Sequence, residues 1–148
     1  MTTSRFEPAE VIRIVAAVIL DHDGRTLVVR KQGTAAFMQA GGKLSADESP
    51  LAGLQREIGE ELGCAVDQST CRSLGSFTAP AANEPGSTVQ AELFEVTLDG
   101  APQPCAEIAE LAWLDPDEEP RLHLAPLTQT IALPLAREWK SRLQDGRA

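Results

Sequence analysis

Three glutamates near the middle of the chain have a spacing that could bind a metal ion. Glu57, Glu60 and Glu61 lie in a predicted helix, where residues three and four apart share a face. The apolar residues of that helix recur at steps of three and four on the opposite face: Leu51, Leu54, Ile58 and Leu62. Like charges so close oppose the helix by roughly 0.2–0.5 kcal/mol per pair. A divalent cation would offset that repulsion, and Mg²⁺ prefers carboxylate oxygen. A solvated acidic face is the alternative.

A longer pattern surrounds these glutamates. A glycine is followed by five residues and a glutamate, and then by seven residues and an Arg-Glu pair. An apolar residue, a Glu-Glu pair, a glycine and a final apolar position complete it. In order, the specified residues are Gly42, Glu48, Arg56, Glu57, Ile58, Glu60, Glu61, Gly63 and Cys64. This pattern resembles the Nudix box with every fixed position filled. Ala40, Asp47 and Cys64 differ from residues common in the family, and none of them replaces a ligand.

The resemblance implies a fold and a chemistry. Members of the family fold as an α/β/α sandwich with a mixed β-sheet, in which the box forms a loop, a helix and a second loop. They typically use Mg²⁺ or Mn²⁺ to hydrolyse a nucleoside diphosphate linked to another moiety, by attack of water on phosphorus. The chain is therefore expected to be a single Nudix-like domain of the α/β class over residues 1–148, with residues 1–9 as a loose lead-in. Its expected activity is that of a Mg²⁺-dependent Nudix pyrophosphohydrolase.

The resemblance also assigns roles to residues of the box. Glu57, Glu60 and Glu61 correspond to the metal-binding carboxylates, and Gly42 corresponds to the residue whose main-chain carbonyl binds the metal. Arg56 resembles the arginine that holds a box glutamate in place, for which a charge-assisted hydrogen bond is suited.

The resemblance further implies a general base and an additional metal ligand. Glu57 is the usual candidate for the base that activates water, and Glu48 is expected to support the site from behind. Many members add a glutamate from a loop after the box. Glu107 is our choice for that ligand and for the competing base, with Glu110 as the second choice. A plain surface acid remains an alternative for both.

The sequence specifies the substrate less well than the chemistry. Arg30 and Lys31 could face a phosphate or a base, and Phe37 could stack on a base. The alternatives are solubilising charges and a core phenylalanine. The chain contains no tyrosine, the marker of the family's diadenosine-polyphosphate group. Pro80 lies near the position of a proline in the ADP-ribose group. Nucleoside triphosphates and ADP-ribose or sugar nucleotides therefore both remain open. A catalytically silent Nudix-like nucleotide-binding or sensor module is the alternative function.

The surrounding pattern predicts the elements that must position these residues. Ser49 and Pro50 are suited to begin the box helix, and Gly63 to end it. Two antiparallel strands, joined at Asp23-Gly24, should precede the box. Apolar patterning predicts the remaining elements, of which the last is a helix that Pro134 should bend or delay. These are strands at 12–20, 26–30, 72–79, 89–98 and 108–114, with Trp113 packed inside, and a helix at 127–143.

Composition limits the possible partners. The chain has 22 acidic and 13 basic residues among 148, for a net charge of −9. Such a charge repels phosphate backbones and anionic lipid, which argues against binding nucleic acid or membranes by bulk charge. The expected partner is a small-molecule nucleotide, whose phosphates then need a metal or a local basic cluster. The family resemblance leaves a homodimer open.

The cysteines and the hydropathy pattern favour a cytoplasmic protein. The three cysteines are an odd number without a CxxC spacing, which argues against a disulfide framework. The most apolar run, residues 11–20, is far shorter than the roughly 20 residues needed to cross a bilayer. The first ten residues are polar, which is not typical of a signal peptide.

Overall fold

The computed structural model describes residues 10–146, so the lead-in expected at residues 1–9 lies outside the described residues. Strands and helices alternate in a mixed α/β order. The strands are β1 (Val11–Ile19), β2 (Thr26–Lys31), β3 (Phe37–Met38), β4 (Gly41–Lys43), β5 (Ala65–Val66), β6 (Arg72–Pro80), β7 (Thr88–Val96), β8 (Leu98–Asp99) and β9 (Ile108–Leu114). The helices are α1 (Pro50–Leu62) and α2 (Leu133–Asp145), and the π-helical segment Thr128–Ala132 leads directly into α2.

The main sheet is mixed, as the family resemblance implies. Its strand order is β4-β1-β7-β6, and β1 lies inside the sheet. β1 runs parallel to β7, from Val11 opposite Thr88 to Ile19 opposite Val96. β4 pairs with the other edge of β1 and β6 with β7, both antiparallel. The smaller sheets have the orders β3-β2-β9 and β5-β8.

The two helices pack on opposite faces of the main sheet. Because successive side chains of a strand point to opposite faces, β1 supplies both cores. One core joins β1 to α1 through Val15, Ala17, Ile19, Leu54, Ile58 and Leu62. The other joins β1 to the C-terminal helical region through Val18, Leu20, Ala132, Ala136 and Trp139. This layering is the predicted α/β/α sandwich.

The start of helix α1 matches its sequence signals. The backbone N–H of Ala52 donates to Ser49 Oγ at 3.2 Å, and the helix ends at Gly63 in a left-handed conformation. One member of the predicted apolar stripe is placed differently, because Leu51 is 37% exposed. The stripe that faces the core therefore consists of Leu54, Ile58 and Leu62. Leu51, in the first turn of the helix, lies outside this stripe.

The prediction that β1 and β2 form an antiparallel pair is wrong beyond one bridge. Asp21 and Arg25 close the turn with a backbone hydrogen bond, and Leu20 then pairs with Thr26. After that bridge the strands separate, and β2 lies between β3 and β9 in the smaller sheet. A short turn fixes the direction of the chain but not the sheet that a buried apolar strand joins.

The second half of the chain follows the predicted pattern with smaller differences. β9 occupies the predicted residues 108–114, but Trp113 is only partly buried against the first core. The long strand predicted at 89–98 ends at Val96, after which Leu98–Asp99 pairs with β5. Pro134 lies in the first turn of α2, so that helix begins at Leu133. Neither helix within residues 10–146 is long and apolar enough to cross a membrane.

Candidate active site

Two glycines of the short strand β4, Gly41 and Gly42, make close contacts with β1 and with helix α1. We call this Gly41-Gly42 segment the glycine loop, after its place in the Nudix box. A Cβ atom on Gly41, at φ +153°, would lie 2.0 Å from the backbone oxygen of Val15. A Cβ atom on Gly42 would lie 2.4 Å from Glu57 Oε2. A real Cβ cannot approach another heavy atom so closely. Gly41 therefore lets this segment lie against the backbone of β1, and Gly42 lets the Glu57 carboxylate lie directly against the segment's backbone.

Glu61 reaches the same loop from the same helix. Its side chain is buried, and Glu61 Oε1 accepts a hydrogen bond from the backbone N–H of Gly41 at 3.0 Å. Burial raises the pKa of Glu61 to about 7, against the lowering effects of the Gly41 hydrogen bond and of the Lys31 charge. The nearby carboxylates of Glu57 and Glu107 raise this pKa further. No ion pair involves Glu61 in the part of the chain that the structure describes.

Arg56 connects the other acids of the box. Its Nε and Nη2 atoms donate to the Glu48 carboxylate at 2.7 and 2.8 Å, and its Nη1 donates to Glu57 Oε1 at 2.6 Å. Its Nη2 also donates to the backbone oxygen of Lys43 at 3.2 Å. The hydrogen bonds from Arg56 are the main reason that the pKa of Glu48 falls to about 2. These bonds fix the position of the Glu57 carboxylate beside the glycine loop.

Glu60 lies further out than its two neighbours. Its carboxylate is 55% exposed and lies 3.6 Å from Arg56 Nη1. Across residues 10–146, no three His, Cys, Asp or Glu side chains lie close enough together to hold a metal ion as they stand. The donor chemistry nevertheless fits a hard divalent cation. Glu57 and Glu61 bring carboxylate oxygens to one turn, and the Glu60 carboxylate lies on the same helix, half exposed and near Arg56.

The two acids proposed after the box have different surroundings. Glu107 is exposed, and its carboxylate is near enough to raise the pKa of Glu61. Its backbone oxygen accepts a hydrogen bond from Gln32 at 2.8 Å. Glu110 instead accepts from Arg30 Nε at 2.7 Å, while Arg30 Nη1 donates to the backbone oxygen of Thr34. Glu107 thus lies on the side of the box glutamates, whereas Glu110 and Arg30 neutralise each other.

A cleft of about 140 Å³ opens beside the glycine loop. Gly41 and Gly42 form part of its lining, together with apolar side chains from β1 and the backbone around Pro80. Lys31 and Lys43 also line it, and Lys43 Nζ lies 3.8 Å from the carboxylate of Glu84, which is part of the same lining. Phe37 is buried in a separate core with Val28, Leu124 and Leu133, so its ring packs as a core phenylalanine.

Comparison with known proteins identifies the family. The model of the NUDIX domain matches residues 11–135. The chain belongs to the Nudix family. A MutT-like protein from Streptomyces ambofaciens is 30% identical to it over 104 residues. That match covers 70% of this chain and 64% of the relative, so the chain spans less than two thirds of the relative's length.

Solved structures of other proteins resemble most of the chain. A MutT Nudix hydrolase from Burkholderia pseudomallei is 25% identical with a TM-score of 0.71, covering 84% of this chain and 97% of that one. The ORF135 protein of E. coli is 27% identical with a TM-score of 0.63, covering 89% and 90%. A UDP-X diphosphatase is 26% identical with a TM-score of 0.69, covering 88% and 64%.

The Nudix pattern did not single out two polar residues of the cleft. Gln39 and Thr128 are both buried and both contribute to its lining. Gln39 stands two residues before the paired glycines, so its proximity to the loop could have been inferred from the box. Thr128 comes from the π-helical segment before α2, and no local signal connects it with the box.

Proposed function

We propose that this chain hydrolyses a pyrophosphate bond in a nucleoside diphosphate linked to another moiety, in a reaction that depends on a divalent metal. The observation that carries the proposal is the approach of Glu57 and Glu61 to the Gly41-Gly42 loop, which also lines the cleft. Membership of the Nudix family supports it, as do the relatives described as a MutT Nudix hydrolase and a UDP-X diphosphatase.

The residues that would hold Mg²⁺, or Mn²⁺ in its place, come from α1, from β4 and from the segment before β9. They are the carboxylates of Glu57, Glu60 and Glu61, the carbonyl of Gly42, and the Glu107 carboxylate. A bound divalent ion supplies neutralisation of phosphate charge and a lower pKa for attacking water. Such a local positive charge is needed because the chain carries a net charge of −9.

The protein's own groups then position the reaction. Arg56 holds the Glu57 carboxylate beside the glycine loop through a 2.6 Å hydrogen bond. From there Glu57 accepts the proton of the attacking water as general base, with Glu107 as the competing candidate. Lys31 lines the cleft next to this loop and attracts the phosphates of the substrate, whereas Lys43 is paired with Glu84. Arg30 is already paired with Glu110, so we expect it to contribute less than Lys31 to substrate binding.

The family and the cleft are compatible with more than one class of substrate. Nucleoside triphosphates and ADP-ribose or sugar nucleotides share the nucleoside diphosphate that this site would bind. The UDP-X diphosphatase among the similar structures supports testing sugar nucleotides beside triphosphates. The alternative is a nucleotide-binding module without turnover, which would bind the same substrates and form no product.

The test is cleavage of the pyrophosphate bond in nucleoside triphosphates, ADP-ribose, sugar nucleotides and dinucleotides with Mg²⁺, with Mn²⁺ and with chelator. It is measured as formation of a nucleoside monophosphate together with pyrophosphate or a phosphorylated co-product. We expect metal-dependent turnover that Glu57→Gln lowers by about 10²–10⁴, the usual contribution of a general base. Glu138→Gln makes the same change on the exposed surface of α2 and should leave kcat unchanged. Binding of nucleotides without turnover of any of them would overturn the hydrolase and leave the binding module.

A further inference from the structure

Two of the three free cysteines lie at the same end of helix α1. Cys64 follows Gly63, the residue that ends the helix, and Cys105 belongs to the segment before β9. Cys105 Sγ lies 3.1 Å from the point where a Cβ atom on Gly63 would lie. The Cys105 thiol is therefore packed against the chain neighbour of Cys64.

Backbone hydrogen bonds hold these two stretches of chain together. The N–H of Cys105 donates to the backbone oxygen of Glu61 at 3.0 Å, and the N–H of Gln103 donates to that of Leu62 at 2.9 Å. Just beyond the end of the helix, β5 pairs with β8. Cys64 stands between these two sets of contacts, so the fold fixes the backbone positions of both cysteines.

The pKa values of the cysteines also distinguish this pair from the third cysteine. Burial raises the pKa of the Cys64 thiol, and the negative charge of a Cys105 thiolate raises it further. Cys71 packs against the same core as Cys64, but burial alone raises the pKa of its thiol. The two sulfurs that influence each other are thus those of Cys64 and Cys105.

The two thiols differ in their accessibility to a reagent. Cys105 is partly exposed between the exposed residues Pro104 and Ala106, and it belongs to no buried apolar cluster within residues 10–146. Cys64 instead packs against the core beneath α1. Because the thiolate is the attacking species and needs access to its target, Cys105 is the thiol that reacts first.

We propose that Cys64 and Cys105 form a redox-active pair, which a small disulfide of the glutathione class converts into an intramolecular disulfide. The Cys105 thiolate first attacks one sulfur of oxidised glutathione, whose S–S bond breaks and releases one glutathione thiolate. The Cys64 thiolate then attacks Cys105 Sγ in this mixed disulfide and releases the second glutathione. The protein loses two protons and two electrons, and the oxidant leaves as two reduced thiols.

The bond would join the end of α1 to the segment that carries Glu107. Glu107 lies two residues after Cys105, and its backbone oxygen accepts from the N–H of Gln32. Ala106, between them, has φ +54°, which is uncommon for a residue other than glycine. The inference does not depend on the proposed function, because neither thiol lines the cleft.

The test maps disulfides in the metal-free protein after incubation with oxidised glutathione at mildly alkaline pH, where more of each thiol is ionised. We expect the wild type to lose two of its three thiols and to retain no glutathione. Cleavage with trypsin separates residues 57–72, which contain Cys64 and Cys71, from residues 73–121, which contain Cys105. In Cys71→Ser, a link between these two peptides can only join Cys64 to Cys105. Dithiothreitol should reverse this link.

Cys71→Ser is also the matched control, because it removes the third cysteine and should form the same bond. Cys64→Ser should instead retain one glutathione on Cys105. Cys105→Ser should take up glutathione at least about threefold more slowly than Cys64→Ser, because the Cys64 thiol is packed against the core and has a raised pKa. Thermal unfolding in dithiothreitol establishes that all three variants are folded.

The same reaction in urea shows whether the fold selects the pair. In the unfolded chain, loop-closure entropy favours a bond between Cys64 and Cys71, which are only seven residues apart. A folded wild type that forms the same mixture of bonds as the unfolded chain would overturn the proposal. So would a folded Cys71→Ser that retains glutathione on both cysteines or does not react.

These outcomes are separate from those of the proposed function. Every readout uses protein without metal or nucleotide, so the bond can form in a protein that hydrolyses no substrate. An active hydrolase whose Cys64 and Cys105 fail to form the bond would contradict only the redox-active pair.

Discussion

Two glutamates of this protein are almost equally buried and are surrounded very differently. Glu61 is 7% exposed and Glu95 is 4% exposed. Glu95 accepts from Arg72 Nε and Nη2 at 3.2 and 3.1 Å, and also from Arg142 Nη2. Glu61 accepts a single backbone hydrogen bond, from Gly41. Burying an unpaired carboxylate costs free energy of folding. Two arginines offset this cost at Glu95, whereas one backbone N–H group offsets part of it at Glu61.

We interpret the difference as that between a structural acid and a proposed metal ligand. Arg72 lies directly opposite Glu95 on the neighbouring strand, and Arg142 belongs to α2. The Glu95 cluster thus joins two strands and a helix. Glu61 instead brings an uncompensated carboxylate to the edge of a cleft. Folding alone gives no advantage to such an arrangement, whereas binding of a cation does.

The largest expected effect is on catalysis by Glu61→Gln. We expect kcat with Mg²⁺ to fall by at least about a hundredfold, because the loss of a metal ligand should exceed the 10–100-fold cost typical of an outer-shell partner. The melting temperature in chelator should be unchanged or higher, since the amide buries no charge. Steady-state kinetics and thermal unfolding measure both. A variant that keeps its activity but loses stability would place Glu61 in the same class as Glu95.

The second prediction concerns the pH dependence of stability in chelator. The folded state raises the pKa of Glu61 from its ordinary value of 4.5 to about 7 and so binds its proton more tightly than the unfolded chain. Its favourable contribution is complete below pH 4.5 and is lost as the pH rises to about 7. The free energy of unfolding of the wild type should therefore fall, relative to Glu61→Gln, by about 2–3 kcal/mol across that range.

Denaturant unfolding of the two proteins at several pH values checks this expectation. The difference between them cancels the other titrating groups that they share. Parallel curves would contradict the prediction, and a difference that grows in the opposite direction would show that Glu61 is stabilised as a carboxylate even without a metal.

Local sequence signals predicted the box region well. Ser49 and Gly63 bound α1, and Gly42 lies directly against the Glu57 carboxylate. Each of these features depends on residues within about one helix length of each other. The layered fold was predicted through the family resemblance. The predicted pairing of β2 with β1 was wrong, because β2 lies between β3 and β9. Apolar patterning indicates that a strand is buried but does not indicate which strand it pairs with.

Contacts between distant elements could not be predicted. Glu95 and Arg142 are 47 residues apart, and nothing in either local pattern connects them. The same holds for Gln39 and Thr128, which become neighbours of one cleft only after β1 and the C-terminal helical region pack together. Charge counting alone would have treated Glu61 and Glu95 alike, because their difference lies in which arginines the fold brings near.

The smallest expected effect is that of Glu95→Gln, which tests the structural side of the comparison. The amide keeps the volume of the side chain but loses the charge-assisted bonds to Arg72 and Arg142. Both arginines are about half exposed and can be resolvated, so we expect a loss of only about 1–2 kcal/mol in the free energy of unfolding.

The control is Glu92→Gln, which makes the same change on the same strand at a residue without an ion pair among residues 10–146. It should cost less than about 0.5 kcal/mol, as is typical of surface substitutions. The activity of both variants should remain at the wild-type level, because neither residue lies at the glycine loop or the cleft. Equal stability of the two variants would show that the arginines do not hold β6, β7 and α2 together. Glu95 could then no longer be contrasted with Glu61 as a structural acid.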